Sequence, residues 1–156
     1  MCAMAPEYEA EQLAWETERA KKLQQSAPVV VDIEILGVHP QPPSLESRKA
    51  EIRVATFFSV EARVTHVERS TLGIKPQDRL LINYQIWEYG DGATGGMIHN
   101  PIVVKAGDKV RAYLQTSPQP LDGPQSFVIA AEILSFEPCS PADQSLFRQL
   151  KNWWSS

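Results

Sequence analysis

The sequence predicts a mainly β fold: a small antiparallel barrel with one helix before it and an amphipathic helix after it. The strongest observation is the run from Glu51 to Glu68, in which six apolar side chains share one parity: Ile52, Val54, Phe58, Val60, Ala62 and Val64. Because successive side chains of a strand point to opposite faces, this period of two predicts one long strand with a single buried face. Shorter alternating runs, each preceded by turn residues, predict further strands of the same sheet.

Residues 7–25 are predicted to form a helix. Pro6 stands at its start, acidic residues occupy its first turns, and basic residues lie near its end, which suits the helix dipole. Its apolar stripe is thin, so we expect it to pack lightly on the barrel or to extend toward a partner. The predicted organisation is a helical extension at 1–28, a barrel at 29–138 and an amphipathic helix at 139–156.

The remaining strands follow from alternation and β-branched residues. Val29 to Val38 predicts the first strand. The segment from His39 to Ser44 predicts a loop, because the prolines in it have no amide hydrogen to contribute to a sheet. Further strands are predicted at Leu80 to Trp87, Val110 to Leu114 and Phe127 to Phe136.

Two similar segments, Ile74 to Leu80 and Val104 to Val110, are each predicted to form a tight turn that leads into a strand. In both, we expect an aspartate side chain to cap amides of the turn, with Pro76 or Gly107 supplying the backbone angle. Strands of this number, one of them long enough to bend and serve two sheets, favour a barrel of the OB type. A β-sandwich is the alternative.

The composition restricts the classes of function. A net charge of -4 over 156 residues argues against broad counterion-driven attachment to DNA or anionic lipid. Two cysteines, Cys2 and Cys139, are too few for a disulfide framework or a four-cysteine zinc site. We expect a cytoplasmic chain as the sequence stands, or an exported one if a signal peptide was removed before Cys2. No apolar run has the length of a membrane span.

Tests for catalytic or cofactor chemistry give no positive result. Gly90 to Gly96 matches the pattern G-x-G-x-x-G, but Pro101 and β-branched residues follow where a phosphate-binding helix would have to begin. Of the three histidines, only His66 has a second possible ligand close by, Glu68, and two ligands do not make a metal site. We therefore expect a protein that is not an enzyme and uses no cofactor or metal. Scattered carboxylates leave a hydrolase as a minor alternative.

The outward faces of the predicted strands combine cations with aromatic rings. The candidate ligand-binding residues are Arg53, Phe57, Arg63, Trp87, Arg111 and Tyr113. Such side chains stack on bases or sugars, and OB barrels bind oligonucleotides or oligosaccharides on a sheet face of this kind. Alternatively, the aromatic rings pack beneath a terminal helix. Trp153 and Trp154 pose the same choice, since they could anchor a partner or close the last helix onto the barrel.

Three segments in order, Phe57 to Val67, Leu80 to Tyr84 and Ala106 to Leu114, carry a family resemblance. They resemble the OB barrel of netrin-like modules, the group that includes the tissue inhibitors of metalloproteinases. The resemblance implies the fold. It does not imply protease inhibition, because those modules open with closely spaced cysteines, which in the inhibitors chelate a protease's zinc, and this chain has only Cys2 and Cys139.

Together these observations predict a non-enzymatic OB-fold module for binding or assembly. Its partner is expected to be another protein or a second copy of the chain, reached through the terminal helices or the aromatic sheet face. The alternative is binding of single-stranded nucleic acid or oligosaccharide on the face that carries the aromatic and basic residues.

Overall fold

The computed structural model describes residues 6–93, 98–117 and 125–139. The elements in chain order are α1 (Pro6–Ser26), β1 (Val29–Gln41), α2 (Leu45–Ala50), β2 (Arg53–Ser70), β3 (Arg79–Tyr89), β4 (Lys109–Thr116), β5 (Gln125–Ile129), a 3₁₀ turn (Glu132–Leu134) and β6 (Phe136–Pro138). The mainly β fold and the N-terminal helix are confirmed. The predicted C-terminal helix, with Trp153 and Trp154, lies outside the described residues.

The described strands form one sheet whose pairings return to their starting point. β2 pairs antiparallel with β1 and with β3, and β3 pairs parallel with β5. β5 then pairs with β4, and β4 pairs with β1, so the order is β1-β2-β3-β5-β4 and back to β1. The inward faces enclose the hydrophobic core, in which Phe127, Phe136 and Ile82 are fully buried.

The long strand predicted from Glu51 is confirmed, but its first residues are not in it. β2 begins at Arg53, and Ile52, which alternation places on the buried face, is 72% exposed. The preceding residues form α2, which the sequence analysis did not predict. Ser44 caps this helix by accepting a hydrogen bond from the Ser47 amide at 3.1 Å. Ile52 therefore belongs to the connection between α2 and β2.

The proline-rich segment is wrongly predicted as a loop from His39 onward. β1 continues to Gln41, with Pro40 opposite Phe58 and Gln41 opposite Phe57. The register of β4 against β1 stops at Glu34, so the last part of β1 has one edge that no described strand covers. Proline is tolerated at such an edge because its missing amide hydrogen leaves no ladder bond unmade.

The strand predicted at Phe127 to Phe136 is interrupted. β5 and β6 run along the same edge of β4, with Ile129 opposite Leu114 and Phe136 opposite Ala112. Between them, the chain leaves the edge after Ala130, whose N–H donates to the Tyr113 carbonyl at 2.9 Å, and returns at Ser135, whose carbonyl accepts from the Tyr113 N–H at 2.9 Å. Residues 131–134 carry the 3₁₀ turn, whose first residue Glu132 has a left-handed φ of 47°. We call residues 131–134 the excursion.

The excursion is where α1 packs. Ala20 of the helix is fully buried against Ile133 and Leu134, and the Gln24 side chain donates a hydrogen bond to the Leu134 carbonyl at 2.8 Å. Arg69 of β2 donates to the Ala27 carbonyl at 2.7 Å, just after the helix ends. The contact is small, as the thin apolar stripe predicts. None of the helices that the structure describes is long and apolar enough to span a membrane.

Candidate binding face on strands β2 and β3

Three of the six candidate residues lie together, on the outward face of β2 and β3. In the register of these strands, Arg53 is opposite Tyr89, Ala55 opposite Trp87, and Phe57 opposite Gln85. Phe57 is 51% exposed and Trp87 is 42% exposed. We call the surface formed by Arg53, Phe57 and Trp87 the aromatic face.

Local contacts hold this face in place. The Asn100 side chain bonds the Trp87 backbone twice, accepting from its N–H at 2.9 Å and donating to its carbonyl at 2.8 Å. This amide therefore completes the hydrogen bonding of β3 at Trp87 as a neighbouring strand would. The Arg53 guanidinium lies 5.8 Å from the centre of the Tyr89 ring, within the range of a cation–π contact.

A groove of about 430 Å³ separates the aromatic face from the connection between β1 and β2. Phe57 and Trp87 form one side, and Pro42, Pro43 and Ser47 form the other. Two more apolar side chains in this connection, Leu45 and Ile52, are among the most exposed of the described chain. The groove thus lies within a region rich in exposed apolar groups.

The connection is held against the end of β3 by backbone contacts. The Gly90 N–H donates to the Ile52 carbonyl at 2.9 Å, and the Asp91 N–H donates to the Arg48 carbonyl at 2.8 Å. A Cβ atom on Gly90 would lie 2.0 Å from the Glu51 carbonyl oxygen, so only glycine permits this approach. Arg48 and Glu88 add an ion pair.

Two further depressions adjoin Trp87 on its other sides. One, of about 440 Å³, lies over β3 and β5, and the other, of about 340 Å³, lies beside Arg53 and α1. Glu16 of α1 and His99 border both depressions and contact each other. Trp87 borders all three hollows of this surface.

The other three candidates lie away from Trp87 and are bonded to carboxylates. Arg63 pairs with Glu34 at 3.1 Å. Arg111 donates to both carboxylate oxygens of Asp32, at 2.8 and 3.3 Å, and this hydrogen bonding raises the Arg111 pKa further.

The Tyr113 hydroxyl donates to the Glu137 carboxylate at 3.2 Å. Burial, reinforced by the negative charge of Glu137, raises the pKa of Tyr113 to about 12. Arg63 of β2 and Arg111 of β4 are thus neutralised by two carboxylates of β1, and alternation alone does not reveal this because each partner is distant in sequence.

Sequence reasoning missed several residues of the surface. Gln41 and the two prolines after it line the groove, whereas the sequence predicts this segment only as a loop. His99 has a side chain that is only 6% exposed, and it contacts Glu16 of α1. Asn100, next to it, bonds the Trp87 backbone, and the sequence analysis does not predict this contact. The local sequence signal for both residues is that a histidine and an amide side chain stand side by side before Pro101.

The described residues contain no group of three or more His, Cys, Asp or Glu side chains that could hold a metal ion. What the arrangement offers is an exposed aromatic surface with three adjoining hollows and few free cations. Comparison with known proteins adds no relative: no family model, no curated protein and no solved structure matches this chain.

Proposed function

We propose that this chain is a non-enzymatic binding or assembly module with an OB-type barrel, and that the aromatic face binds another protein. The ring order β1-β2-β3-β5-β4 supports the barrel, because an OB barrel is a five-stranded Greek-key structure and the β3–β5–β4 step is not sequential. The same order agrees with the fold that the netrin-like resemblance implies.

The observation that carries the proposal is the exposure of Phe57 and Trp87 on adjacent strands, beside a groove lined by Pro42 and Pro43. Large aromatic side chains are the commonest energetic centres of protein interfaces. Contiguous exposed apolar surface is otherwise uncommon on soluble monomers. α1 packs on the excursion, and among its described side chains those of Gln12 and Glu16 reach the edge of this region.

Charge favours a protein over a nucleic acid at this face. Arg63 and Arg111, which would contact phosphates, are paired with Glu34 and Asp32. Among the described residues that line the three hollows, Arg53 is the one arginine, and Glu16, Glu51 and Glu132 are also present. A polyanion would gain little from such a surface.

The test is selection of peptides from a displayed random library on the wild-type protein, followed by binding measurements on variants. We expect peptides with apolar side chains whose affinity falls about tenfold or more in Phe57→Ala, as for an interface centre. Leu72→Ala is the matched control, since Leu72 is 40% exposed and lies just after the distant end of β2. The Leu72→Ala variant should bind the selected peptides with unchanged affinity.

Two further measurements complete the test. Binding that persists at high salt supports a mostly apolar protein contact, whereas binding of a single-stranded oligonucleotide that weakens steeply with salt supports the nucleic-acid alternative. Sedimentation velocity over a range of concentrations tests self-association, which Phe57→Ala should also weaken. A monomer that selects no peptide sensitive to Phe57→Ala contradicts the proposal.

A further inference from the structure

The hollow of about 440 Å³ over β3 and β5 differs in chemistry from the groove beside α2. Trp87, Ile129 and Ile133 give it apolar walls. Asn83 and Gln85, which point outward from β3, bring amide groups to it. An aromatic wall with a few well-placed polar groups is the usual composition of a site for a small ligand, and the volume suits one.

The charge of this hollow excludes a polyanion. Neither lysine nor arginine lines it within the described part of the chain, while Glu16 and Glu132 do. Glu132 pairs with Arg19 at 2.9 Å, which offsets one of these two negative charges, and Glu16 contacts His99. A neutral ligand rich in hydroxyl groups meets no electrostatic barrier here, whereas a chain of phosphates does.

Hydrogen-bonding groups remain available at the hollow. The Ser59 hydroxyl donates to Asn83 Oδ1 at 2.8 Å, which orients the amide. The Asn83 NH₂ group and the whole Gln85 amide have no hydrogen-bond partner among the described residues. Both can therefore serve as donors to ligand hydroxyls, and Gln85 can also accept from them.

The backbone at the rim is strained in a way that supports a site. Glu132 has a φ of 47°, a region that non-glycine residues rarely occupy. Such conformations are concentrated at functional sites. At Glu132 this conformation accompanies a carboxylate that both borders the hollow and pairs with α1.

We propose that this hollow binds a neutral oligosaccharide, with one sugar ring on the Trp87 indole and its hydroxyl groups bonded to Asn83 and Gln85. The site is separate from the protein-binding groove, although Trp87 borders both. The flat indole offers the apolar surface that a sugar ring covers, and the two amides select the positions of the hydroxyl groups.

Isothermal titration calorimetry of the full chain with cellohexaose, maltohexaose and chitohexaose tests the proposal. We expect at least one of these neutral probes to bind. Affinity should fall about tenfold or more in Trp87→Ala, by analogy with the loss of ring stacking in nucleic-acid sites, and severalfold in Asn83→Ala and Gln85→Ala. Leu72→Ala is the control, because Leu72 is exposed and does not line this hollow, so its substitution should leave the affinity unchanged.

Thermal unfolding of each variant separates loss of binding from loss of the fold. Asn83→Ala also removes the hydrogen bond from Ser59, so Gln85→Ala is the variant that tests an amide without removing a contact within the sheet. If none of the three probes binds at millimolar concentration, the proposal is wrong. Binding that is unaffected by both amide substitutions, or binding of a single-stranded oligothymidylate alone, would equally overturn it. Loss of binding in Phe57→Ala but not in Gln85→Ala would assign the ligand to the other groove.

Discussion

Gln77 and Gly107 occupy the same position in two turns of the same geometry. In each turn an aspartate three residues after a lysine accepts from that lysine's N–H, Asp78 at 2.9 Å and Asp108 at 3.0 Å. The residue just before each aspartate has a left-handed φ angle, 79° for Gln77 and 93° for Gly107. Each then donates its N–H to a neighbouring strand, Gln77 to Val64 at 2.7 Å and Gly107 to Ile35 at 2.8 Å.

This equivalence predicts opposite effects of exchanging the two residues. A side chain at positive φ costs about 1–2 kcal/mol, partly offset by the greater freedom of glycine in the unfolded chain. Gln77→Gly should therefore raise the free energy of unfolding by up to about 1 kcal/mol, and Gly107→Gln should lower it by about 1–2 kcal/mol. Urea denaturation measures both. Equal changes of the same sign would show that the two turns are not equivalent.

Gly90→Ala should displace the connection that forms one wall of the groove. The new Cβ atom would lie 2.0 Å from the Glu51 carbonyl oxygen, so the backbone must move. We expect a loss of stability of about 1–3 kcal/mol, as for overpacking, and weaker binding of peptides selected on the aromatic face. Gly92→Ala is the control, because no atom lies within 4 Å of its Cβ position. A neutral Gly90→Ala would mean that the connection is free to shift.

Arg69→Ala should loosen α1 without unfolding the sheet. Arg69 donates to the Gln25 and Ala27 carbonyls, at 2.9 and 2.7 Å, where the helix has no internal donors to offer. Amide hydrogen exchange in α1 should become faster while that of β1 and β2 is retained. Arg19→Ala removes an exposed pair with Glu132 and should have a smaller effect. Equal acceleration in both variants would contradict the role of Arg69.

Tyr113 should contribute a pH-dependent term to stability in alkaline solution. Its pKa is raised from 10.0 to about 12 in the folded chain, so the folded state favours the neutral phenol. The stabilisation is complete below the unfolded value and is lost as pH rises between these two values. The difference in urea midpoint between wild type and Tyr113→Phe should therefore shrink or reverse over this interval. A difference that stays constant there would show that Tyr113 titrates normally.

Much of the fold is determined by local sequence, and for that reason it could be predicted. The alternation through β2 requires only that neighbouring side chains point to opposite faces. The turns at Asp78 and Asp108 form from hydrogen bonds within four residues. The same alternation correctly placed Phe57 and Trp87 on an outward face, and the register of β2 and β3 brings them together.

Tertiary structure alone decided which outward residues lie together and remain unpaired at the surface. Arg111 finds Asp32 at a separation of 79 residues, and Arg63 finds Glu34 at 29, so neither cation remains with the exposed rings. Pro40 is accepted in β1 because the pairing of β4 with β1 ends before reaching it, and residues 131–134 leave the edge of β4 where they meet α1. Edges, partners and covering helices are properties of strands brought together by folding, and no local pattern encodes them.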